Sequence, residues 1–259
     1  MALSDNLRGA ALMTGSMTAF TLNDAFMKGL SGDLPLAQAI FLRGVAATLV
    51  LAALAQAMGQ LRLRLPRGDL GLLVLRTGAE VAAAGFFLTA LFNMPIANAT
   101  AILQALPLAV TLAGALVFAE PLGWRRLAAI LAGFLGVMLI VRPGTDGFTV
   151  HSLSALAAVA MVTVRDLASR RMTGALPSLT VALVAAAAVT VVFGVIAAVQ
   201  PWRPVTLASA GLLGGATACI LVAYVLSVAA MRVGDLATVA PFRYSSLVVA
   251  LVVGVAVFG

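Results

Sequence analysis

The sequence predicts an all-α integral membrane protein. Three observations carry that expectation: the composition, nine long apolar runs, and a register in which the second half of the chain repeats the first. Of 259 residues, 63% are hydrophobic and only 10% are charged, with mean hydropathy +1.12. An ordinary soluble domain is roughly half apolar and about a quarter charged, and a chain of this length has no way to hide such an excess from water. One cysteine, Cys219, and one histidine, His151, exclude a disulfide framework, a cysteine zinc site and a histidine cluster. The start, "MALSDNLRGAALM", has no basic region leading to a cleavage site, so no removable signal peptide is expected.

Crossing the hydrocarbon core takes about 20 apolar residues in a helix. Polar and Pro/Gly breaks delimit nine such runs, at residues 8–28, 35–58, 69–91, 95–118, 123–141, 152–170, 177–199, 206–230 and 236–258. The connections are short, "QLRLRLPRGD" and "VRPGTDGFTVHS" being the longest, so no separate soluble domain is expected. Alternating segments of about ten residues, the mark of a membrane barrel, are absent.

Basic residues then orient the bundle. With a cytoplasmic N-terminus, the inner side collects Arg8, Arg62, Arg64, Arg67, Arg125, Arg126, Arg170, Arg171 and Arg232. The outer side keeps Lys28, Arg142 and Arg203, and Gly259 falls outside. The net charge of +7 therefore reads as topology against an anionic inner leaflet, and no nucleic-acid partner is implied.

A shift of 140 residues aligns "GLLVLRTGAEVAAAGFFLTAL" with "GLLGGATACILVAYVLSVAAM", matching Gly71/Gly211, Thr77/Thr217, Ala83/Ala223, Ala90/Ala230, Gly114/Gly254 and Phe118/Phe258 among others. Nearer the N-terminus a shift of 142 pairs Asp24 with Asp166, Pro35 with Pro177 and Thr48 with Thr190. A five-span unit is odd, so its two copies face opposite ways across the membrane. Inverted repeats of this kind mark secondary transporters, with the substrate site near the midplane between the halves. The expected division is a first repeat at 1–142 and a second at 143–259. The second copy stops after four spans, so the chain is expected to be short of a tenth helix.

"AILQALPLAVTLAGALVFAEPLGWRRLAAILAGFLGVMLIVRPG" and "DLATVAPFRYSSLVVALVVGVAVFG" resemble the paired repeats of the EamA branch of the drug/metabolite transporter superfamily. Glu120 after the fourth span, the Gly-rich fifth span and the Arg-Pro-Gly exit carry the resemblance. It implies ten helices in two inverted halves, a small organic metabolite as cargo, and a peripheral tenth helix associated with dimer contacts, so a homodimer is a further expectation.

Charges inside the spans need an account, because one at the bilayer centre costs about 2.5–3.5 kcal/mol on insertion scales. Arg76 and Glu80 lie well inside the third span, four apart and so on one helix face. They read either as a neutralised structural pair or as a polar cavity wall. Arg43 reads equally as snorkelling or as cavity lining. Arg165 and Asp166 sit a turn from a basic loop and read as a solvated helix end. Pro241 loosens the start of the ninth span, where Phe242, Arg243, Tyr244 and Ser245 put aromatic faces, a cation and hydroxyls in one turn. Gln104 with Pro107 occupies the matching zone of the fourth span, and Asn98 and Tyr224 add polar groups on helices that the resemblance places around the cavity. The predicted substrate-binding set is Arg76, Glu80, Asn98, Gln104, Tyr224, Phe242, Arg243 and Tyr244. Asp24 with Lys28 and Asp166 with Arg170 repeat one acid–xxx–base spacing. They read as interface ion pairs of little consequence or, more sharply, as matched gate latches.

No H-E-x-x-H, G-x-S-x-G, P-loop or metal carboxylate cluster is present, which argues against an intramembrane enzyme. A non-transporting assembly subunit is the other alternative. The leading expectation is an inner-membrane transporter or facilitator, without cofactor or metal. Its cations Arg43, Arg76 and Arg243 suit a solute with a carboxylate or phosphate, an amino acid or similar zwitterion.

Overall fold

In the computed structural model, the described residues are 3–61, 67–119, 123–141, 149–172, 177–233 and 239–259. Helix is the dominant regular structure in them, with no strand among them. Glu120, Arg62, Arg64 and the Arg-Pro-Gly exit at 142–144 lie outside them.

Helix occupies each of the nine predicted runs. The elements are α1 (Leu3–Gly29), α2 (Leu36–Ala57), α3 (Leu70–Asn93), α4 (Ile96–Leu103), α5 (Leu106–Phe118) and α6 (Trp124–Val141). There follow α7 (Val150–Arg171), α8 (Ser178–Ala198), α9 (Leu207–Val233) and α10 (Ser245–Val253). Among the described residues, seven segments are long and apolar enough to cross a membrane. The first and fifth predicted spans are the other two. In α1 the hydropathy is diluted by Asp5, Asn6, Arg8, Asn23, Asp24 and Lys28, and in α6 the apolar stretch is only Leu127–Leu139. Hydroxyls soften that polarity: Thr14, Thr18 and Thr21 each donate to the carbonyl four residues back.

Two predicted spans are broken rather than continuous. Pro107 has no N–H to offer the carbonyl of Leu103, so the fourth span divides into α4 and α5 around Gln104 and Ala105. Pro241 likewise starts the ninth span as a 3-10 turn over Ala240–Tyr244, which passes into α10 and a terminal π-turn at Gly254–Phe258. The two breaks meet, because the Gln104 amide donates to Ser246 Oγ at 2.8 Å.

Packing joins the first half of the chain to the second. The most extensive pairings are α1 with α9, α3 with α7 and α2 with α8. All three are antiparallel. Along α1 and α9, Gly15 faces Leu226, Phe26 faces Gly215 and Gly29 faces Leu212. Small residues let these backbones approach, as membrane helices require where burial of apolar surface gives no drive. Ser16 Oγ uses the proximity to donate to the Ala223 carbonyl at 2.8 Å. Outward faces are apolar instead: on α6, Leu131, Leu135, Met138 and Leu139 are exposed while Ile130 and Val137 are buried. Such a stripe suits lipid.

Consecutive spans alternate in direction, so the helix ends form two groups. One, near Lys28, gathers the ends of α1, α3 and α8 with the starts of α2, α4, α7 and α9. The other, near Arg170, gathers the ends of α2, α5, α7 and α9 with the starts of α1, α3, α6 and α8.

The closest helix approach yields a test. A Cβ on Gly44 would stand 2.5 Å from Thr190 Oγ1 and 3.4 Å from the Thr190 Cα. That hydroxyl already bonds Thr48 and the Ala186 carbonyl. On Gly78 a Cβ meets nothing within 4 Å. Gly44→Ala is expected to destabilise by about 1–3 kcal/mol through overpacking, whereas Gly78→Ala gains up to about 1 kcal/mol of helix propensity. Opposite shifts of the thermal midpoint in detergent are the expected result.

Candidate substrate cavity

Five helices enclose a cavity of about 320 Å³. It is lined by α2 through Arg43, Gly44, Ala47 and Leu51, by α3 through Arg76, Glu80 and Ala84, and by α7 through Arg165 and Asp166. Helices α8 and α9 add Ala182, Ala185, Ala186, Val189, Ile220, Leu221 and Tyr224. Leu51, Arg76, Arg165 and Ala182 lie within two turns of helix termini at the Arg170 end. The cavity therefore occupies that half of the bundle, with Arg43 and Glu80 at its deeper level.

Its charges form one network. Arg165 Nη1 lies 3.3 Å from each oxygen of Glu80, bridging α7 to α3. The same guanidinium binds Asp166 Oδ1 through Nε at 2.9 Å and Nη2 at 2.8 Å. Arg76 Nη2 stands 3.9 Å from Glu80 Oε2, and its Nε donates to Ser169 Oγ at 3.0 Å. Ser169 in turn donates to the Arg165 carbonyl. Arg76 Nη1 is buried without a hydrogen-bond partner, as is Thr77 Oγ1. At the deep end Arg43 Nη1 donates to Asn23 Oδ1 at 3.1 Å, and Asn23 donates onward to Asp24. Solvent reaches this wall, because the side chains of Arg76, Glu80, Arg165 and Asp166 keep 15%, 21%, 26% and 36% exposure. Tyr224 completes the lining, its ring set edge-on to Phe20 at 5.5 Å.

The structure thus brings Arg76, Glu80 and Tyr224 together. Arg165 and Asp166, read from sequence as a solvated end, join them in the cavity wall because antiparallel packing levels Arg165 with Glu80. Arg43 also faces the cavity. Asn23 and Ser169 escaped sequence reasoning; an asparagine beside an aspartate within a span was the available sign of the former.

Asn98, Gln104, Phe242, Arg243 and Tyr244 do not line this cavity. Asn98 is exposed at the start of α4, and Gln104 is engaged with Ser246. Arg243 is exposed between Phe242 and Tyr244, which are 42% and 43% exposed. The 3-10 turn that Pro241 begins holds them there.

The predicted latch residues find other partners. Lys28 reaches past Asp24 to the carbonyls of Leu91 and Met94, at 2.9 and 2.7 Å. These carbonyls end α3, where unsatisfied acceptors and the helix dipole favour a cation. The Phe258 ring lies 5.7 Å from the Lys28 ammonium. Arg170 stands over the Phe118 ring at 4.8 Å. Around Lys28 the bundle is sealed. Gln38 exchanges two hydrogen bonds with the Arg203 backbone, Ser209 donates to Asp33, and Met27, Leu30, Leu34, Leu91, Met94 and Ile96 pack as buried core.

Comparison with known proteins matches residues 7–142, more than half of the chain, to the EamA-like transporter family. The chain belongs to the EamA-like transporter family. A riboflavin transporter from Brucella anthropi is 32% identical over 91 residues, which is 35% of this chain and 32% of that protein. The match spans about a third of the relative's length. No solved structure shows significant similarity. As a family member with seven apolar spans among its described residues, the protein is a multi-pass membrane protein.

The Glu80–Arg165 link lends itself to a double-mutant cycle. Glu80→Gln and Arg165→Gln are expected to couple by about 1–3 kcal/mol in thermal stability. Arg203, at the other end of the bundle, should show no coupling with Glu80.

Proposed function

We propose that the protein is a secondary transporter for a small organic solute carrying an anionic group, an amino acid or similar zwitterion, working by alternating access between inverted repeats at 1–142 and 143–259. The observation that carries this reading is the five-helix cavity with three guanidiniums and two carboxylates on its wall. Charges so placed cost several kcal/mol each unless they serve a solvated pathway.

Contacts between equivalent positions favour the inverted arrangement. Thr48 and Thr190, equivalent under the shift of 142, share a hydrogen bond at 3.1 Å. A residue meets its own counterpart only beside a two-fold axis. The Lys28–Phe258 contact maps onto Arg170–Phe118 under the two sequence shifts. Exchanging the halves also turns the α1–α9 pairing into α7–α3 and returns α2–α8 to itself. With α1 and α6 counted as spans, the chain crosses nine times. The arginine distribution sets the N-terminus inside, so the sealed Lys28 end faces outward and the cavity lies on the inner side.

Riboflavin is a second reading for the cargo. The partial similarity to the Brucella anthropi protein favours it, and Tyr224 offers a ring face.

Counterflow in proteoliposomes, with labelled amino acids and labelled riboflavin, tests both readings. Substrate-dependent flux is expected for one class; no flux with any small metabolite would support an assembly subunit instead. Arg165→Lys should weaken transport roughly tenfold to hundredfold, because an ammonium cannot reproduce the guanidinium fork, a difference of about 1.5–3 kcal/mol. Arg243→Lys should leave transport intact; a matching loss there would move the site to the ninth span.

Orientation has its own measurement. In a Cys219→Ser background, Ser4→Cys and Gly259→Cys should label with an impermeant thiol reagent from opposite sides. Labelling of both from one side would overturn the nine-span topology.

A further inference from the structure

The charges around Glu80 come from every helix that contributes one to the cavity. Arg76 lies on its own helix, Arg165 and Asp166 on α7, and Arg43 on α2 with Asp24 on α1 behind it. Helix α9 presents the Tyr224 phenol, and α8 offers only alanine and valine. Three guanidiniums therefore meet three carboxylates. An anionic solute entering alone would leave the site with an uncompensated negative charge in the low-dielectric interior, which is expensive. A solute anion arriving with a proton would leave the charge balance unchanged.

Geometry selects the carboxylate that would take the proton. Asp166 is held by the adjacent Arg165 through two short contacts, 2.8 and 2.9 Å. Asp24 stands beyond Asn23, behind Arg43 and outside the cavity lining. Glu80 is held more loosely, at 3.3 Å from Arg165 and 3.9 Å from Arg76. It lies between two guanidiniums, and beside it the buried Arg76 Nη1 has no hydrogen-bond partner.

We propose that Glu80 occupies the anion site as a displaceable stand-in for the substrate: a carboxylate, sulfonate or phosphate binds across Arg165 and Arg76 as Glu80 takes up a proton. Solute and proton then load together. Protonated, Glu80 becomes a hydrogen-bond donor and turns from competitor into ligand of the incoming anion. Guanidiniums suit this exchange because the fork that grips one carboxylate grips another equally well. The inference rests on the transporter reading above and specifies its substrate charge and coupling ion.

The test uses purified full-length protein in weakly buffered detergent with a pH-indicator dye. The probes are benzenesulfonate and benzoate, both ionised at pH 6–8, with benzenesulfonamide as the neutral control. Wild type is expected to take up close to one proton per anion bound. Its affinity for either anion should rise about tenfold for each pH unit lowered while Glu80 is ionised in the free protein. Glu80→Gln should bind both anions with no proton uptake and no pH dependence, while Asp24→Asn, outside the cavity lining, retains the uptake. Binding without proton uptake in wild type would overturn the proposal, as would uptake that survives in Glu80→Gln. Absence of saturable binding above the sulfonamide control would remove the anion site altogether. Should Glu80→Gln fail to fold, wild-type uptake beside Asp24→Asn still decides: loss of uptake in that variant assigns the proton elsewhere. A chain that carries a solute in proteoliposomes without anion-linked proton uptake keeps its function and loses this inference.

Discussion

The ion contact between Glu80 on α3 and Arg165 on α7 is the interaction on which the interior of this bundle depends. Hydrocarbon does not solvate charge, so an arginine or glutamate well inside a span must find a counter-charge, a polar backbone group or water. Glu80 and Arg165 meet this need across two helices, and Asp166, Arg76 and Ser169 are drawn into the same network. Because the network is shared, α3 and α7 are held at one relative height. That height decides where the cavity lies and which side chains reach it.

Around this charged wall the fold follows membrane packing rules rather than those of a water-soluble core. Apolar side chains crowd the outward faces, and small residues occupy the closest helix approaches, as Gly15, Gly44, Gly194 and Gly215 do. Backbone groups freed by Pro107 and Pro241 sit at two helix breaks that face one another, where Gln104 and Ser246 join them.

The two ends of the bundle differ in kind. At one, Lys28 caps the last carbonyls of α3, and Gln38, Arg203, Asp33 and Ser209 knit the connections over a packed apolar core. Toward the other, alanines on α2 and α8 leave room that the cavity occupies. One end is closed by specific polar contacts and the other holds charge within reach of solvent. The proposed alternating access needs such a difference.

Much of this was legible in the sequence. Hydropathy located the helical runs among the described residues, because a span must match the bilayer with about 20 residues whatever its neighbours are. Pro241 marked the irregular start of the ninth span, whereas the break at Pro107 was not expected, and the motifs around residues 95–144 marked the family. Within the candidate site, Arg76 and Glu80 were visible because four-residue spacing is a local property of a helix. Arg165 was not: its nearness to a basic loop is local, whereas its place beside Glu80 depends on how α7 docks against α3. Lys28 was legible as a cation near a helix end but not as the cap of another helix, and Arg243 was legible as an intramembrane charge but not as one outside the cavity. Sequence by itself determined the helices, their number and their polar exceptions, since those follow from short-range periodicity and transfer free energy. Only the tertiary structure decided which exceptions meet, because the level and facing of one helix against another is set by side-chain packing between segments far apart in the chain.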